Sequence, residues 1–66
     1  MRLDLTDKTI AALCVKLLRE IAERARASDP GGLVSARLCG RVLALRLGVP
    51  TFEAQRVAKT LGRRWR

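Results

Sequence analysis

Two groups of helix breakers, Ser28-Asp29-Pro30-Gly31-Gly32 and Gly48-Val49-Pro50, cut this chain into three pieces, each of a length that suits one helix. Proline lacks an amide hydrogen and disfavours helix in the residue before it, while glycine supplies the left-handed conformation that ends a helix. Between the breakers, apolar residues recur at helical spacing. In the first piece Ile10, Leu13, Cys14, Leu17, Ile21 and Ala25 form one stripe, and Ala11, Val15, Leu18 and Ala22 form a second beside it. Thr6 or Asp7 can cap this helix. In the last piece the stripe is narrow, Ala54, Val57, Ala58, Leu61 and Trp65, and Thr51 is placed to cap it. The spacing predicts helices near residues 6–27, 34–47 and 51–64 in one all-α, three-helix domain.

A domain of 66 residues is small. It buries only about 60% of the surface that its unfolded chain exposes, and such domains often rely on a partner. The two stripes of the first helix together span about 200°, where a helix packing on one core needs roughly 100°. The excess predicts a homodimer whose interface centres on Ala11, Val15, Leu18 and Ala22. The opposite face of this helix, with Lys8, Lys16, Arg19, Glu20, Glu23 and Arg26, reads as solvated, and Glu20 is correctly ordered for a pair with Arg24.

Composition excludes several classes. Phe52 and Trp65 are the aromatic residues, so a core must come from Leu, Val, Ile and Ala, which favours helices over sheets. No apolar run reaches the length of a membrane span, and the N-terminus lacks the features of a signal peptide, so a cytoplasmic protein is expected. Cys14 and Cys39 are too few and too far apart for a zinc site, and there is no histidine to complete one. They read as buried free thiols, with a disulfide as the alternative. Asn, His and Tyr are absent and Arg outnumbers Lys, a bias of heat-adapted proteins and also of G+C-rich genomes. No nucleophile constellation, phosphate-binding glycine loop or carboxylate pair is present, so neither an enzyme nor a cofactor is expected.

The net charge of +8 is unevenly placed. Residues 1–31 hold six basic and five acidic groups, whereas residues 32–66 hold eight basic groups and one acid, Glu53. A concentration of cations in one half of a small helical domain is an electrostatic footprint for nucleic acid.

The segment from Ala44 to Val57 resembles the helix-turn-helix motif of DNA-binding transcriptional regulators. A small residue, Ala44, lies four positions before the turn glycine, Gly48; an apolar residue, Val49, follows it; Ala54 and Val57 sit at the buried offsets of the next helix. The physical requirements are plain: a small side chain where two helices cross, a glycine where φ is positive, apolar side chains to fill the gap. The pattern departs in Ala54, where larger branched residues are usual, and in Pro50 at the start of the reading helix. The resemblance implies a three-helix, wingless domain that binds duplex DNA with its third helix in the major groove.

It implies Gln55 and Arg56 as readers of base edges, with Thr51 and Phe52 at the leading end. Arg reads guanine and Gln reads adenine by paired hydrogen bonds. Phe52 has a competing role, which we favour, as a cover for the end of the core. Lys59, Arg63, Arg64 and Arg66 fit phosphate contacts, and Arg37, Arg41 and Arg46 the flanking backbone. Trp65 falls on the buried stripe and reads as a core anchor. Two other classes compete: a small RNA-binding or ribonucleoprotein accessory, and a protein-interaction module using the second-helix stripes Ala36-Leu43-Leu47 or Leu38-Val42-Leu45.

Overall fold

A computed structural model describes residues 2–62. The expected end of the third helix near 64, the phosphate contacts assigned to Arg63, Arg64 and Arg66, and the anchoring role of Trp65 lie outside the described residues. Three helices make up the domain: α1 (Lys8–Ser28), α2 (Ala36–Leu47) and α3 (Thr51–Leu61). There is no strand among the described residues.

Each helix starts and stops for a local reason. Asp7 caps α1, its carboxylate accepting from the amides of Thr9 at 2.9 Å and Ile10 at 3.3 Å. Ser35 caps α2 by accepting from the amide of Leu38 at 3.1 Å. Such caps satisfy donors that have no partner within the helix. Gly48 ends α2 with φ of 66°, and the amides of Gly48 and Val49 both donate to the carbonyl of Ala44. Thr51, expected as the cap of α3, is instead its first helical residue, because Pro50 occupies the cap position with φ of −59° and ψ of 146°.

The core draws on all three helices: Cys14, Leu18, Ile21 and Ala22 from α1, Cys39, Leu43 and Ala44 from α2, Val49 from the turn, and Ala54, Val57, Ala58 and Leu61 from α3. Cys14 and Cys39 are buried free thiols, and burial raises the pKa of both. Leu3 and Leu5 of the N-terminal segment pack against the same cluster. That segment is anchored by a turn in which Asp4 accepts from the Thr6 amide and hydroxyl, at 3.0 and 2.6 Å.

The expected dimer stripe is corrected by this packing. Leu18 and Ala22 are wholly buried within the fold, Ala11 nearly so, and only Val15 is partly open. The apolar arc of α1 is wide because α2, α3 and the N-terminal leucines share it, so its breadth needs no second chain. Glu20, expected to pair with Arg24 along α1, reaches Arg46 of α2 at 3.8 Å. Of the two α2 stripes, Leu43 enters the core, while Leu38 and Leu45 stay exposed.

Helices α2 and α3 make the most extensive contact in the domain. They approach closely at Gly40, and Ala44, one turn on, is buried in the same core. A β-carbon on Gly40 would lie 2.8 Å from the α-carbon of Gln55 and 3.0 Å from its nitrogen, so only glycine fits.

Candidate nucleic-acid interface

The outer face of α3 follows from which side the core takes. Glu53, Ala54, Val57, Ala58 and Leu61 are buried, leaving Thr51, Phe52 and Lys59 exposed and Gln55 and Arg56 half-buried on the two flanks. Gln55 lies over Gly40 on the α2 side. Arg56 lies on the other side, against the N-terminal segment. Phe52 is 72% exposed, so it does not cover the end of the core. It stands at the leading end of α3, in a shallow hollow shared with Arg2, Glu53 and Arg56.

Arg56 does not project freely from the face. Its guanidinium donates to both carboxylate oxygens of Glu53, at 2.6 and 3.0 Å, and to the carbonyl of Leu3 at 2.9 Å. The amide of Leu3 donates to Glu53 in turn. Glu53 is 2% exposed, and the hydrogen bond from Arg56 holds its pKa down at about 2, against the opposing effect of burial. Its Nε and Nη2 are engaged in this cluster, so the guanidinium is turned toward Glu53 and Leu3 and does not project freely as the base-reading role implied by the resemblance would have it. The sequence showed Glu53 only as a lone acid in a basic half, and its spacing of three residues from Arg56 was the available signal.

The remaining cations divide by helix face. At about 100° per residue, Arg37 and Arg41 lie roughly 60° and 100° round α2 from Gly40, the residue that meets α3. Both are exposed. Arg46 lies about 120° round in the opposite sense. It borders a groove between α1 and α2 with Ile21, Arg24 and Val42, and meets Glu20 at 3.8 Å. The α3 face brings together Thr51, Phe52, Gln55 and Lys59, while Arg37 and Arg41 are exposed on α2, Arg37 closer in angle to the Gly40 contact than Arg41.

The chain matches no protein-family model, no curated protein and no solved structure. The chemistry of the face therefore rests on its own residues. From Gly32 to Gly62 the one carboxylate is Glu53, which is buried and paired with Arg56, while Arg37, Arg41 and Lys59 are exposed. The other acids, Asp4, Asp7, Glu20, Glu23 and Asp29, all lie on the N-terminal segment, α1 or the loop after it. An anion approaching α3 meets cations without an exposed acid from α2 or α3 among the described residues. No described helix is long and apolar enough to cross a membrane, and no group of three or more His, Cys, Asp or Glu among the described residues is placed to hold a metal ion.

Proposed function

We propose that this domain binds duplex DNA with the exposed face of α3 in the major groove, as a transcriptional regulator or chromatin-associated protein. One observation carries the proposal: the α2–α3 surface holds exposed cations while its only described carboxylate is buried and paired. Such a surface gains affinity by displacing counterions from phosphate backbone. A helix fits the width of the major groove, which suits α3, held against α2 by the Gly48 turn and the Gly40 crossing. Thr51, Phe52 and Gln55 are then the side chains nearest base edges, Phe52 against a thymine methyl group. Lys59, Arg37 and Arg41 meet phosphates.

The test is a titration of a duplex library and an RNA hairpin at several salt concentrations. Duplex binding is expected to weaken steeply with salt. Lys59→Ala and Arg41→Ala should each reduce the salt slope by about one unit, because one fewer counterion is displaced. Arg46→Ala should leave it unchanged. Tighter binding to the hairpin than to any duplex would instead favour an RNA accessory.

A second reading, a protein-interaction module, has an observation of its own. Leu13, Leu38 and Leu45 are 48%, 39% and 86% exposed on α1 and α2. Replacing Leu38 and Leu45 with serine should leave DNA binding intact under the first reading and abolish partner capture under the second.

A further inference from the structure

The cluster of Glu53, Arg56 and Leu3 has no part in the DNA contacts just described, yet it takes the Glu53 carboxylate almost wholly out of solvent. Burying an ion pair in place of apolar side chains is often neutral or unfavourable for stability, so its retention asks for a structural reason. Here both backbone polar groups of Leu3 are held by α3: its amide donates to the Glu53 carboxylate and its carbonyl accepts from Arg56 at 2.9 Å. The Leu3 side chain packs on the core, and the Asp4–Thr6 turn fixes the chain immediately after it. The residue before such an anchor has little freedom in where its backbone lies. That residue is Arg2, exposed and bordering the hollow at the leading end of α3 with Phe52.

We propose that the N-terminal segment is a clasp on α3 that holds Arg2 as a phosphate contact of the nucleic-acid interface, with Glu53 and Arg56 as its positioning residues. This rests on the DNA-binding reading above. Arg56 is paired with Glu53, so Arg2 is the exposed arginine of the hollow at the leading end of α3, with Asp4 beside it in the neighbouring one. Glu53 also feels the charge of Arg2, which places the two near one another. Arg37 and Arg41 stand on the α2 side of α3, and Arg2 stands on the other. A helix lying in a groove has phosphates on both walls, and a protein that presents cations on both flanks of that helix can meet both strands.

The experiment uses the full chain with a labelled duplex of about 20 base pairs, titrated at several salt concentrations. Arg2→Ala should lower the salt slope by about one unit, and Arg2→Lys should retain it. Leu3→Pro removes the amide donated to Glu53 and the leucine side chain without changing any charge, and should reproduce the loss seen for Arg2→Ala, whereas Leu3→Ala, which keeps the amide, should not. The double variant of Arg2→Ala with Leu3→Pro should be no worse than either single one, because both act through the same contact. Helical circular dichroism checks that each variant is folded. Duplex binding by the parent chain with a slope that Arg2→Ala does not change would overturn the clasp and leave the DNA-binding reading standing. A loss with Arg2→Ala that Leu3→Pro does not reproduce would overturn the positioning role of the clasp. Failure of the parent chain to bind any duplex would overturn both.

Discussion

Gly40 of α2 lies against the backbone of Gln55 in α3 so closely that a β-carbon at residue 40 would sit 2.8 Å from the Gln55 α-carbon. Backbone cannot move aside as a flexible side chain can. Gly40→Ala is therefore expected to destabilise the domain, since overpacking costs about 1–3 kcal/mol and the gain in helix propensity returns at most about 1. Gly31→Ala, with open space around it, is the control and should change stability little. Urea denaturation of both variants measures the difference.

At the turn the constraint is conformational and not steric. Gly48 has φ of 66° with nothing within 4 Å of an added β-carbon. Gly48→Ala should cost about 1–2 kcal/mol through the left-handed backbone alone. Gly48→Asn should cost less, because asparagine tolerates that region better. A thermal melt in which alanine and asparagine behave alike would contradict this cause.

Leu18 is wholly buried among residues of all three helices. Leu18→Ala should destabilise the fold by about 2–5 kcal/mol and leave the oligomeric state of the folded chain unchanged. Denaturation together with sedimentation separates this outcome from the loss of a dimer interface.

The Glu53 carboxylate, held down at about 2 by Arg56, gives the fold a defined acid limb. Because its folded pKa lies below the ordinary value of 4.5, the stabilisation is fully present above pH 4.5 and is lost as pH falls toward 2. Glu53→Gln should reduce the fall in stability across that window, leaving the share of Asp4, whose pKa is lowered by its hydrogen bonds from Thr6, and leave the pH dependence above the window unaltered. Midpoints of urea unfolding between pH 2 and about 6 check the sign.

Phe52 is exposed, so Phe52→Ala should alter stability by no more than about 0.5 kcal/mol. On duplexes it should weaken binding most at sites with a thymine beneath the leading end of α3. A loss of stability without a change in binding would return Phe52 to the core.

The sequence by itself determined the three helices, their breaks and most of the core. Those features depend on local chemistry: Asp7 and Ser35 cap from within their own segments, Gly48 and Pro50 act on their own dihedral angles, and an apolar stripe is a property of one helix. What the tertiary structure decided was which partner each face would meet. The same wide stripe on α1 suits a second chain or a shared core, and only the placement of α2, α3 and Leu3 shows that Leu18 and Ala22 are internal. Arg56 and Arg46 look alike in the sequence, yet one is joined to Glu53 and Leu3 and the other to Glu20. Helical spacing fixes the direction in which a side chain points but not what another segment, 53 residues away in the chain, brings to meet it.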